Sequence, residues 1–153
     1  MDARDEFCPF CDIVDDPRKA RVLYADAHTL AFFPLTPATQ GHTLVVPKAH
    51  STDLWAMDET AAQRLFRTVL LVGRALRTAL EPDGMNVINS AGTAASQTVF
   101  HTHVHLVPRR PGDAMGLNWP AEGEGYQGER DEDGAESDAL AARLREAIDR
   151  QRR

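Results

Sequence analysis

The sequence is short of the features that mark secreted, membrane-spanning or nucleic-acid-binding chains. It holds two cysteines, Cys8 and Cys11, too few for a disulfide framework. No apolar run approaches the ~20 residues that span a bilayer, so no membrane partner is expected. Positive charge is in deficit: 17 Lys and Arg stand against 23 Asp and Glu, a formal net charge of −6. That balance argues against a broad electrostatic grip on nucleic acid, although local dipoles and histidines can still hold a small anion. Met1-Asp2-Ala3-Arg4-Asp5-Glu6 lacks the basic start and apolar stretch of a secretory signal, and a cytoplasmic location is expected. What is present is an ordinary globular composition, 42% hydrophobic and 26% charged over 153 residues. One domain, with or without a tail, can build its core from that without staples.

Patterning supplies the elements. Val22–Tyr24 and Thr29–Phe33 are β-prone, with Asp26-Ala27-His28 placed to turn a hairpin. Pro34 and Pro37 bracket a loop, and His42–Val46 reads as a strand ended by Pro47. Leu65, Val69, Val72, Leu76 and Leu80 form one apolar stripe, which predicts a helix capped by Asp58 and ended by Pro82 and Gly84. Met85–Asn89 reads as a strand, Ala91–Ser96 as a loop of small residues, and Thr98–Val107 as a long strand stopped by Pro108. The expected fold is α+β: an antiparallel sheet of about five strands with one long helix packed on it. Residues 1–118 are expected to form this domain and 119–153 a tail. The tail begins with an acidic, glycine-bearing linker over 121–138. A short helix over Ala139–Arg150 would follow, with Leu140, Leu144 and Ile148 on one face, docking on its own domain, staying disordered or touching a second subunit.

The chemistry concentrates in Gln97-Thr98-Val99-Phe100-His101-Thr102-His103-Val104-His105-Leu106-Val107-Pro108-Arg109. In a strand, alternate side chains share a face, so His101, His103 and His105 would stand in a row ~7 Å apart. Burying three imidazoles without purpose would mean satisfying six ring nitrogens. Two functional readings follow, a transition-metal site or a phosphate site.

Residues 101–107 resemble the His-φ-His-φ-His-φ-φ signature of the histidine triad (HIT) family, with Thr102 at the first φ. Gln97-Thr98-Val99 before it and Pro108-Arg109 after it are similar to the family's flanks, as is the Gly41-His42 strand running to Pro47-Lys48. The resemblance covers about residues 7–112. It implies a HIT-like fold and a hydrolase that cuts a purine nucleotide at its α-phosphate, releasing the nucleoside monophosphate. A dinucleoside polyphosphate or a nucleoside phosphoramidate or adenylate would be the substrate. His103 would be the nucleophile, supported by His105, His42, Gln97 and Thr98, with no metal required at phosphorus. Phe32, Pro34, Asn89, Ser96 and Trp119 would line the substrate. Pro34 stands where relatives commonly carry a ribose-binding Asp, and Ser96 where many carry glycine. A homodimer is also implied. A non-catalytic nucleotide sensor is the alternative, favoured by Pro34 and disfavoured by the retention of all four histidines.

Cys8-Pro9-Phe10-Cys11 is open to three readings from its residues: ordinary reduced thiols, a redox pair or two metal ligands. The resemblance implies the third, a structural Zn2+ held by Cys8, Cys11, His50 and His101.

Overall fold

The computed structural model describes residues 7–116, 125, 126 and 134–153. Helix α1 (Pro9–Asp15) is followed by strands β1 (Arg21–Ala25), β2 (Thr29–Phe33) and β3 (Thr43–Pro47). Helix α2 (Glu59–Leu80), strands β4 (Gly84–Ile88) and β5 (Val104–Arg109), and helix α3 (Ala135–Gln151) complete the order. The five strands form one antiparallel sheet in the order β1-β2-β3-β5-β4. No helix among the described residues is long and apolar enough to cross a membrane.

Local chemistry accounts for the boundaries. The Asp26 carboxylate accepts from the His28 and Thr29 amides, which closes the β1–β2 turn. Asp58 caps α2 by accepting from the Ala61 amide, and the helix ends at Glu81, whose φ of 46° is left-handed, before Pro82.

Alternation in the strands gives the sheet two different faces. Ala31, Val45, Val104 and Leu106 pack against the Leu65, Val69, Val72 and Leu76 stripe of α2. Leu140, Leu144 and Ile148 of α3 join the same core, so the tail helix docks on its own chain. It begins four residues before the expected start, because Glu136 and Asp138 in its first turn complement the helix dipole. The opposite face carries Leu30, Phe32, Leu44 and Val46, which pack with Cys8, Phe10 and Cys11. His105 shares that face, opposite Leu44 in β3 and Ile88 in β4.

One expected strand is misplaced. The sequence pattern runs it over Thr98–Val107, stopped by Pro108, whereas β5 spans Val104–Arg109. Before Val104 the chain is tied to a loop instead of a strand: the Thr102 amide donates to the Ser51 carbonyl at 2.7 Å. At its far end β5 runs through Pro108. Strand β3 pairs only with Val104, His105 and Leu106, so Pro108 is laddered on one side alone, opposite Met85, a position where a missing N–H is tolerated.

Candidate functional site

The site is built on the sheet face away from α2 and α3, where the 89–103 segment meets the start of β5. Gln97, only 3% exposed, organises the segment. Its Oε1 accepts from the Gly92 amide at 2.7 Å, and its Nε2 donates to the Thr52 and Val99 carbonyls at 2.7 and 3.0 Å. Ser96, beside it, takes a left-handed φ of 70°. Thr98 is exposed.

Only His105 lies within the strand, and the expected row of imidazoles is divided. His103 and His105 form one pair, with ring centroids 4.9 Å apart. His101 turns to His50, at 5.0 Å. The Phe10 ring stands edge-on to both His101 and His103, at 5.9 and 5.1 Å. Phe10 is a site residue that the histidine pattern does not reveal.

Hydrogen bonds fix the proton positions on each ring. Burial holds all four imidazoles below their ordinary range: His42 at about 4, His101 at about 4, His105 at about 3, and His103 lowered. The mutual repulsion of neighbouring imidazolium charges adds to burial for His42, His101 and His105, and the backbone carbonyl on His103 opposes it. The rings are therefore neutral near pH 7, with one protonated nitrogen each.

A carbonyl can only accept. His103 Nδ1, 2.7 Å from the His101 carbonyl, must therefore carry the proton, which places the lone pair on Nε2. An amide can only donate. The Ala38 amide donates to His42 Nδ1 at 2.9 Å, so the His42 proton sits on Nε2 and is donated to His105 Nδ1, also at 2.9 Å. The His105 proton is thereby assigned to its Nε2. The outcome is an unprotonated nitrogen on the His103 ring and a protonated one on the neighbouring His105 ring, the two ring centroids lying 4.9 Å apart. Asn89 Nδ2 donates to the His103 carbonyl at 2.9 Å, so Asn89 holds the backbone of His103.

The second cluster is Cys8, Cys11, His50 and His101, whose ligand atoms all lie within 4.8 Å of one another. Cys8 opens α1 and accepts from the Cys11 amide through its sulfur. His101 Nε2 donates to the Pro47 carbonyl at 2.8 Å, which presents the Nδ1 lone pair to Cys8 Sγ at 3.4 Å and Cys11 Sγ at 3.5 Å. His50 Nδ1 lies 3.4 Å from Cys11 Sγ. These four side chains can hold a metal ion, and the carbonyl behind His101 is the outer partner that such ligands commonly use.

The HIT domain family profile matches residues 17–112. The chain belongs to that family. The chain is 38% identical over 125 residues to the Protein hit of Bacillus subtilis, covering 81% of this chain and 86% of the relative. The crystal structure of a Zn-bound histidine triad family protein from Mycobacterium smegmatis superposes with a TM-score of 0.75 at 32% identity, covering 95% of each chain. Adenylylsulfatase HINT3 of Arabidopsis thaliana is 31% identical over 115 residues, 75% of this chain and 57% of the plant protein.

The other expected site residues of this HIT domain are dispersed. Phe32 is 1% exposed and packs its ring against Phe10 at 5.6 Å. Pro34 follows β2 and lines a cavity of about 100 Å³ together with Leu35, Pro37 and His42. Trp119 lies outside the described residues. The Ala38 amide and the Pro47 carbonyl set ring tautomers in the two clusters, and as backbone groups they leave no mark in a sequence.

Proposed function

We propose that this chain hydrolyses purine nucleotides at the α-phosphate by transfer to His103 and then to water. The observation that carries the reading is the hydrogen-bond set that leaves a lone pair on His103 Nε2 and a proton on Nε2 of the adjacent His105 ring. In the first step Nε2 forms a bond to phosphorus while the bond to the leaving group breaks, and the leaving group departs with the electron pair and takes up a proton. Water then attacks phosphorus, the P–N bond breaks, and the nucleoside monophosphate leaves with His103 restored. His105 Nε2–H donates to a non-bridging phosphate oxygen, where charge builds in the transition state. Thr98, which is exposed, donates to the phosphate in this reading, while Gln97 acts by shaping the loop that carries it. Of the residues expected to line the nucleotide, Pro34 borders the cavity that also reaches His42, Asn89 holds the His103 backbone, Ser96 flanks Gln97, and Phe32 backs Phe10 from the core. Pro34 supplies no carboxylate for the ribose. The adenylylsulfatase activity in the plant relative's name supports the reaction class.

Zn2+ fits the second cluster. With Zn–S of about 2.3 Å and Zn–N of about 2.05 Å, a tetrahedral ion sets sulfur and nitrogen about 3.6 Å apart; the S···N separations of Cys8 from His101 and of Cys11 from His50 and His101 run from 3.4 to 3.5 Å. The ion would tie α1 to His101 and so hold Phe10 against His103. A homodimer is supported by β4, an edge strand of the sheet with Val87 55% exposed.

The test is nucleoside monophosphate release from an adenosine phosphoramidate and from diadenosine tetraphosphate, followed by chromatography. Wild type is expected to release AMP and His103→Ala to lose release. A folded wild type that cleaves neither overturns the hydrolase reading and leaves nucleotide sensing in its place.

A further inference from the structure

The His42 proton is set by one amide, that of Ala38, and the described C-terminal segment is fastened to the same place. The Tyr126 amide donates to the Pro37 and Ala38 carbonyls at 2.9 and 3.1 Å. The Tyr126 hydroxyl donates to Glu136 Oε1 at 2.7 Å, and Gln40 Nε2 donates to the same oxygen at 3.2 Å. Glu136 belongs to the first turn of α3. The 37–40 segment, which lies between Pro34 and His42, is thus gripped at both ends by residues 126 and 136. Gly125 allows the approach, since a Cβ there would lie 2.6 Å from the Pro37 carbonyl oxygen.

From this we infer that Gly125 and Tyr126 are positioning residues for the histidine pair: they hold the Pro37–Ala38 peptides so that the Ala38 amide faces His42 Nδ1. The inference rests on the proposed reaction for its effect on turnover, but not for its effect on the His42 ring. The physical reason is rigidity. A loop peptide free to rotate would offer His42 Nδ1 a donor only part of the time. His42 would then populate the other tautomer, its Nε2 would cease to donate to His105, and His105 would lose its fixed proton at Nε2. Ala38 is 4% exposed, packed with Val107 and Met115, so its side is already fixed. Tyr126 constrains the Pro37 carbonyl, which shares its peptide plane with the Ala38 amide.

Two full-length variants test it. Gly125→Ala forces the Pro37 carbonyl away while leaving the tyrosine in place. Tyr126→Phe keeps the backbone bonds and removes only the bond to Glu136. Ring nitrogen shifts in protein labelled with 15N-histidine read the tautomer without reference to activity. Wild-type His42 is expected to show the Nε2–H pattern. Gly125→Ala is expected to move it toward averaged values, and Tyr126→Phe in the same direction by less. With an adenosine phosphoramidate, kcat in Gly125→Ala should fall roughly tenfold with KM little changed. Unmoved His42 shifts in a folded Gly125→Ala protein overturn the inference. If Gly125→Ala does not fold, unmoved shifts in Tyr126→Phe do so. Inactive wild type with the expected shift changes would refute the reaction and leave the positioning role supported.

Discussion

Gln97→Ala separates a structural role for this amide from a role in binding phosphate. The side chain is buried and makes three hydrogen bonds, all to backbone groups of the loops on either side of the site. At about 1 kcal/mol net per bond, losing three costs about 3 kcal/mol. At about 2–4 °C per kcal/mol for a domain of this size, that is a fall in Tm of roughly 6–12 °C. Gln97→Glu should do no better, because its second oxygen would face the Thr52 and Val99 carbonyls where the amide nitrogen now donates. The assay is thermal unfolding by circular dichroism, with turnover of an adenosine phosphoramidate measured well below the transition. The expected result is a large loss of stability with a smaller loss of kcat. A Tm within a degree of wild type combined with collapse of kcat would refute the reasoning and return Gln97 to the phosphate.

Three further outcomes are expected. A Cys8→Ser, Cys11→Ser double variant should lose bound zinc by elemental analysis and lose more in Tm than in kcat; full activity with an unchanged Tm would contradict a structural metal there. His42 and His105 are neutral in the fold down to about 4 and about 3, whereas in the unfolded chain both protonate near 6.5. Their contribution is therefore complete above about pH 6.5 and is lost as pH falls toward those values, so the urea midpoint should drop on acidification, less steeply in His42→Gln. An equal slope in that variant would count against the pair. Gly41→Ala places a methyl 2.5 Å from Leu80 Cδ1 at a φ of +83°, which should cost about 2–3 kcal/mol in denaturant unfolding; an unchanged midpoint would show that α2 yields there.

Much of this was legible in the residues, for reasons that differ by element. The hairpin, α2 and the presence of the strands around it follow from period-2 and period-3.6 patterns and from caps such as Asp58, all local signals. The grouping of Cys8, Cys11, His50 and His101 followed from family likeness, and the structure brings those four together. The start of β5 was not legible. Thr102 has β propensity, but its amide is taken by Ser51 from a loop distant in sequence, and tertiary pairing overrides propensity. The roles of Ala38, Pro47 and Gln97 were hidden for a related reason. Two act through backbone groups, and the third spends its amide on backbone partners that no side-chain pattern specifies. The placement of residues 125 and 126 against Pro37 likewise depends on a long-range approach between a glycine and a carbonyl.

The account turns on a covalent bond between His103 and phosphorus. The most direct measurement is rapid acid-free quenching of wild type with an adenosine phosphoramidate, then mass spectrometry of the intact protein and of its peptides. The account predicts a transient adenylyl adduct on the peptide carrying His103, absent in His103→Ala. Turnover with no adduct, or an adduct on another residue with turnover retained in His103→Ala, would contradict it.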